Sequence, residues 1–226
     1  FEMNEKLKNS MQEIVAARTS EMQSRLMALQ SQMQPHFLYN TLAVIGALCD
    51  QQKTREASQI CRNLSQMMRY VSAKQETVSI SEEIVFLRNY VSIMQARFPE
   101  SVVHIDIPFS MLNCRLPKMV IQPLCENSYK HARRGSTEIW VVGSVSDGCW
   151  RVQVRDNGEG FSGQTIGQIM DRCRRMLESN DVLTGGVDGM GLANIYARLA
   201  LLYKNHFIFE IGETTGVTIG GELICS

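Results

Sequence analysis

Four short segments hold residues of the right kinds, closely enough spaced, to do chemistry. "QMQPHFLYNTL" sets His36 directly behind Pro35, inside a stretch that otherwise reads as one continuous helix. An interior proline removes a backbone hydrogen bond and clashes with the preceding turn, at roughly 3 kcal/mol or more, so a histidine beside such a break demands a reason. "CENSYKH" gathers Glu126, Asn127, Lys130 and His131 into two turns of one helix. "VRDNGEGF" ends a strand with Asp156 followed by Gly158 and Gly160, and "DGMGLANIYARL" is a turn with Gly189 and Gly191 that opens a helix carrying Leu192 and Asn194. Taken singly, each is weak. A Gly-x-Gly at a strand end is usually only a turn, and a lone helical asparagine or histidine is usually solvated or packed.

The chain that must position these residues has 226 of them, 44% hydrophobic and 20% charged, which is globular in character and long enough for one large or two small domains. Its 23 basic residues balance 23 acidic ones, so no global field argues for nucleic acid or an anionic membrane surface. Seven cysteines, an odd number without a Cys-x-x-Cys pair, suit buried free thiols in a reducing compartment, the cytosol by default. No apolar run approaches the ~20 residues of a membrane span, and no signal-peptide pattern is present. Phe1 falls in the middle of a helical pattern, so the chain reads as a fragment whose upstream part is missing.

Hydrophobic spacing divides the chain in two. Met3, Leu7, Met11 and Ile14, then Met22, Leu26, Leu29 and Met33, step by threes and fours. This is a coiled-coil-like seam with a stutter, about 45 Å long at 1.5 Å per residue. After the polar break "DQQKT", Thr54 is placed to cap a second helix, and a third starts near Ser81 and ends before Pro99. Residues 1–98 are therefore nearly all helix. Residues 99–226 mix elements: "SVVHIDIP" alternates as a strand, and "KMVIQPLCENSYKHA" is helical. "STEIWVVGSVSDGCWRVQVRDNG" is a strand pair turning at Asp147-Gly148, and "HFIFEIGETTGVTIGGELIC" is a closing hairpin. Segment 162–187, helical in its middle with a loose Gly-Gly end, reads as a lid. His104 is expected half-buried in its strand, His206 without chemical company, and Trp140 and Trp150 in the core.

In this order and at these spacings, the three later segments resemble the N, G1 and G2 boxes of the ATP-binding fold shared by histidine kinases, DNA gyrase, Hsp90 and MutL. "LQSQMQPHFLYNTL" resembles the phosphoacceptor region of the LytS/YesM-like sensor histidine kinases, and "LSQMMRY", "YVSIMQARF" and "IQPLCENSYKH" extend the match over essentially residues 25 to 225. The resemblance implies a two-domain chain. An all-α hairpin over 1–98, a four-helix bundle when dimerised, carries the phosphotransfer histidine; an α+β Bergerat-type ATP-binding sandwich over 99–226 follows.

The same resemblance assigns roles. His36 takes the γ-phosphoryl group of ATP. Asp156 accepts from the adenine amino group, and Asn127 holds Mg²⁺ through its amide oxygen. Gly158 and Gly160 leave room for a ligand against the backbone; Gly189 and Gly191, with Leu192 beside them, open a helix N-terminus suited to phosphates. Lys130, His131 and Asn194 sit near those phosphates. The implied partners are a second copy of the chain and the receiver domain of a response regulator, with no nucleic acid. The implied setting is a cytoplasmic domain whose full-length protein is anchored in the cell membrane through the missing upstream sensor.

Departures from the pattern sharpen the reading. Water-activating ATPases of this superfamily carry a glutamate four residues before the Mg²⁺ asparagine; here that position is Pro123, and Glu126 lies about 100° around the helix from that face. Transfer to a protein acceptor is favoured over hydrolysis, and over a gyrase-like conformational machine. In the larger kinase families the residue after the histidine is acidic, but here it is Phe37, and no carboxylate lies between Glu21 and Asp50. Asn40, one turn on, can orient the His36 ring. The alternative is a degenerate ATP-binding member acting as a dimeric scaffold, against which every box residue is intact. Two further expectations concern the helices: that Pro35 bends the first one in the turn from Ser31, and that Leu26, Leu29 and Met33 with Ile60, Leu64 and Met67 form the joint core of the dimer.

Overall fold

The computed structural model describes residues 35–131, 137–146, 148–178, 191–204, 206–214 and 216–223. The seam expected over 3–33, the bend ahead of Pro35, Gly189 and Cys225 lie outside them. Helix α1 (Pro35–Asp50) and helix α2 (Thr54–Ser72) form a hairpin. Its turn is closed by the amides of Gln52 on Cys49 O and of Lys53 on Leu48 O, both at 2.9 Å, with Gln52 at φ 58. Thr54 is the first residue of α2 and not its cap: Lys53 holds the cap position and makes no side-chain cap bond, because it has no acceptor to offer. Strand β1 (Thr77–Ser79) leads into α3 (Ile80–Arg97), where Ser79 and Glu82 form a reciprocal capping box. The carboxyl of Glu82 is held below the usual range by the Ser79 backbone amide.

Helix α3 buries Ile80, Glu83, Ile84, Phe86, Leu87, Tyr90, Val91, Ile93 and Met94. A helix apolar over so much of its surface must be covered on several sides. It lies against α1 and α2 and also against α4 (Gln122–His131). Strand β3 (Arg115–Pro117) pairs antiparallel with β1, so the segment entering α3 is stitched to the segment entering α4.

The buried carboxylate of Glu83, 0% exposed, completes that joint. It accepts the amides of Met119 at 2.6 Å, Val120 at 3.2 Å and Ile121 at 3.1 Å, and the hydroxyl of Tyr70. Lys118 Nζ lies 4.8 Å from the Tyr70 ring centroid and donates to Val71 O at 3.2 Å and Ala73 O at 2.8 Å, closing the end of α2. Burial pushes the Glu83 carboxyl up against the pull of these donors, and burial pushes Lys118 down. This arrangement corrects the helix expected from residue 118. The amides of 119–121 are taken by Glu83, Met119 sits at φ 58, and the helix starts only at Gln122.

Five strands form the main sheet in the order β2-β4-β5-β7-β6: β2 (Val102–Asp106), β4 (Glu138–Ser146), β5 (Cys149–Asp156), β7 (Gly216–Glu222) and β6 (Phe207–Gly212). Only β2 and β4 run parallel. One face, with Ile139, Val141, Trp150, Val152, Val154, Val217 and Ile219, joins the core that includes Leu124 of α4 and Ile195, Leu199 and Tyr203 of α6 (Gly191–Tyr203). Trp150 Nε1 donates to Tyr203 Oη at 3.2 Å, and that hydroxyl donates to Arg115 O. Helix α5 (Gly163–Glu178) packs on α6 through Cys173 and Met176 against Ala193 and Ala197.

Several side chains depart from expectation because, among the described residues, helices cover one face of that sheet. Trp150 is core, but Trp140 lies half-buried on the other face, between the ring of His104 at 5.7 Å and the Arg155 guanidinium at 4.7 Å. His104 is exposed and 2.9 Å from Glu138, and His206 lies 3.0 Å from Glu222. Cys114, Cys125 and Cys173 are buried, whereas Cys49 and Cys61 are exposed on the hairpin. Burial pushes the Cys173 thiol up to about 11. Among the described residues no helix is long and apolar enough to cross a membrane.

Glu83→Gln keeps the size of the side chain but presents one acceptor oxygen and an amide donor to four donors. The unfolding free energy from urea titration should fall by about 3 kcal/mol; a change below about 0.5 kcal/mol would remove this carboxylate from the stabilising joint.

Candidate functional site

The first turn of α1 presents His36 to solvent. Helical spacing puts Asn40 over it, with its amide nitrogen 3.0 Å from Nδ1 and 3.1 Å from Nε2. An amide N–H can donate only to a ring nitrogen that bears a lone pair, so this contact orients the imidazole ring. Phe37 turns the other way. Its ring stacks on Tyr90 of α3 at 5.4 Å between centroids, and its carbonyl accepts the hydroxyl of the buried Thr41 at 2.7 Å. Tyr90 meets Tyr129 of α4 edge-on at 6.1 Å, and Tyr129 stacks on Phe98 at 6.1 Å.

Helix α4 buries Gln122, Leu124, Cys125 and Ser128, which leaves Asn127 half-buried and Lys130 and His131 exposed along the opposite edge. The carboxylate of Glu126 is shared between Lys130 Nζ at 3.2 Å and Gln122 Nε2 at 3.1 Å. Asp156 ends β5, where its Oδ1 accepts the Gly158 amide at 2.8 Å and ties the following turn. A Cβ on Gly158 would lie 2.7 Å from that oxygen and 3.5 Å from His131 O, so the end of α4 lies against this turn. Gly160, at φ +73, is pressed on the β6–β7 turn: a Cβ there would lie 1.8 Å from Glu213 O, which also accepts the Phe161 amide at 3.0 Å.

Helix α6 begins at Gly191, which is exposed and, among the described residues, has nothing within 4 Å of its missing Cβ. Leu192 turns into the core, and Asn194 is half-exposed. The structure thus brings together the Asn127–His131 edge of α4 and the Asp156–Gly160 turn, with α6 packed against α4. His36 stands apart from them and is linked to α4 through the Phe37, Tyr90 and Tyr129 rings.

Two family models match the chain in succession: "Histidine kinase" over residues 24–102, and "Histidine kinase-, DNA gyrase B-, and HSP90-like ATPase" over residues 114–220. The chain belongs to the histidine kinase family. It is 32% identical to the sensor histidine kinase YesM of Bacillus subtilis over 97% of its own length and 35% of that protein's. It is 31% identical to the sensor protein LytS of Enterococcus faecalis over 87% of its own length and 34% of that one's. The chain therefore spans about a third of the length of these curated relatives. Among solved structures, the catalytic domain of histidine kinase ThkA matches 65% of this chain and 93% of its own at 16% identity, with a TM-score of 0.43.

For a histidine kinase chain, the residues that spacing alone did not single out are Phe37, Tyr90 and Tyr129. They come from three helices and meet only in the folded chain. Their one sequence signal is membership of the segments that resemble the family, "QPHFLYN", "YVSIMQARF" and "CENSYKH".

Gly160→Ala puts a methyl group into the Glu213 carbonyl and a left-handed φ on an L side chain. Thermal unfolding should show a loss of roughly 2 kcal/mol or more, while Gly191→Ala, with open space at its Cβ, should stay within about 1 kcal/mol.

Proposed function

We propose that this chain is the catalytic core of a sensor histidine kinase in which His36 takes the γ-phosphoryl group of ATP and passes it to an aspartate of a response-regulator receiver domain. One observation carries the reading: an exposed histidine, its ring held by Asn40, stands on a helix docked through Phe37 toward the helix that bears Asn127. In the transfer, the basic ring nitrogen attacks the γ-phosphorus, the bond to the bridging oxygen breaks, and the diphosphate leaves with that electron pair; catalysis is mostly positioning and charge stabilisation. Asn40 must turn its carboxamide over for this step, so that Oδ1 accepts from the ring N–H and the other nitrogen is uncovered.

On the nucleotide side, Asp156, oriented by the Gly158 amide, accepts from the adenine amino group, and Gly158 and Gly160 let the base approach the backbone. In this reading Lys130, His131, Asn194 and the amide of Gly191 would serve the phosphates. Among the described residues, no group of three or more His, Cys, Asp or Glu is arranged to hold a metal. A magnesium ion here would accordingly be held by Asn127 together with nucleotide phosphates, as this hard, strongly hydrated ion usually is. When bound, it neutralises charge on the leaving diphosphate.

The working unit in this reading is a homodimer. The hairpin exposes Tyr39 at 70% and Leu42 at 53%, with Ala43, Gly46 and Ala47 beside them on α1 and Cys61 and Met68 on α2. Ile60 and Met67, expected on the dimer face, are buried within the chain, so the joint core is assigned to the exposed set on α1, with the hairpins as a four-helix bundle. Residues 1–98 serve dimerisation and phosphotransfer, and 99–226 bind nucleotide. In the full-length protein an upstream sensor would anchor this cytoplasmic portion to the cell membrane.

Incubation with γ-labelled ATP should yield phosphoprotein stable to alkali and lost in acid, absent from His36→Gln while nucleotide binding is retained. Label at full level in that variant would move the acceptor to another histidine. Separately, Asp156→Asn should weaken ATP binding by about 1–3 kcal/mol, read by calorimetry; unchanged affinity would take Asp156 out of the site.

A further inference from the structure

Phe37 follows His36 directly, and its ring joins α1 to Tyr90 of α3, which in turn meets Tyr129 of α4. Adjacent residues on a helix point about 100° apart, so turning Phe37 inward is what leaves His36 outward on the same turn. The ring lies nearly parallel to Tyr90, at 28°, and Tyr90, buried on the central helix α3, meets Tyr129 of α4 at 73°. Both are preferred aromatic geometries, offset stack and edge-on. Tyr129 sits two residues past Asn127 and one before Lys130, and its far side is closed by the Phe98 ring and by Ser101, whose hydroxyl lies 3.4 Å from the tyrosine oxygen. Each ring comes from a different helix, and together they form a continuous path of ring contacts from the His36 turn to α4.

We infer that Phe37 is a positioning residue for phosphotransfer, and that the Phe37, Tyr90 and Tyr129 rings set the reach between His36 and the nucleotide on α4. The inference rests on the phosphotransfer reading above and deepens it by naming what aligns its two halves. Packing alone accounts poorly for Phe37. It is only half-buried, at the end of α1, while Ile45 and Leu48 further along the same helix also pack against the core. Removing its ring should therefore leave the fold largely intact and free the acceptor turn to shift. Since reacting atoms must come within about 3–3.5 Å, and a misplacement of about 1 Å can reduce the rate on the order of 10²-fold, the effect belongs in the transfer rate and not in nucleotide affinity.

The test is single-turnover labelling of His36 by γ-labelled ATP at saturating nucleotide, alongside ATP affinity and thermal midpoint, in wild type, Phe37→Ala, Phe37→Leu and Phe37→Tyr. Phe37→Ala should label on the order of tenfold to a hundredfold more slowly, with ATP affinity within about twofold. Phe37→Leu, which keeps apolar bulk and folding but not a flat ring, should remain slow, and Phe37→Tyr should recover the wild-type rate. Wild-type labelling in the alanine variant, or full recovery in the leucine variant, would overturn the positioning role and leave the phosphotransfer reading standing. A wild-type chain that takes no acid-labile label would overturn phosphotransfer itself, and this inference with it.

Discussion

A single buried carboxylate, that of Glu83, holds the two halves of this chain in one arrangement. It accepts from Tyr70 at the end of α2 and from three successive amides ahead of α4. An ionised carboxylate accepts only, so four converging donors suit it fully, and no uncharged side chain of that size could satisfy them all. Without those bonds, the amides of 119–121 would be buried donors lacking a partner, each a cost comparable to a lost hydrogen bond. The Lys118 ammonium beside it closes the last carbonyls of α2, and Arg198 of α6 donates to Lys118 O at 2.9 Å. The placement of α4, and thus of Asn127, Lys130 and His131, follows from this joint.

The β1–β3 pairing and the burial of α3 act in the same direction. Together they make the border near residue 98 a matter of sequence pattern more than of packing, because α3 shares its core with elements on both sides of it. The aromatic path from Phe37 to Tyr129 crosses that same helix at Tyr90. A shift of α3 would therefore be felt at the His36 turn and at the Asn127–His131 edge of α4 at once, since close-packed interiors transmit displacement more readily than they absorb it.

Local pattern carried much of this architecture in the open. The helices near 54–72 and 80–97, the β4–β5 and β6–β7 hairpins and the glycine turns follow from periodicities of 3.6 and 2, from capping and from turn chemistry, all of which involve neighbours in sequence. The order of the four chemical segments was legible for the same reason, as was the contact of Asn40 with His36, four residues apart on one helix. What no local rule could supply is any contact between distant residues: Glu83 with 119–121, Phe37 with Tyr90, or Gly160 and Phe161 with Glu213.

Those long-range contacts explain where local reading went astray. A run from residue 118 has helical character, yet its amides are captured from another helix, so it stays unwound until Gln122. Trp140 is expected in the core and His104 half-buried, but which face of a sheet is covered depends on where the helices pack, and here that face is the other one. Sequence by itself determined the elements and the chemical types at their ends, because propensity and spacing act over a few residues. Only the tertiary structure decided which ends meet, because that depends on buried donors finding acceptors and rings finding partners across the whole chain.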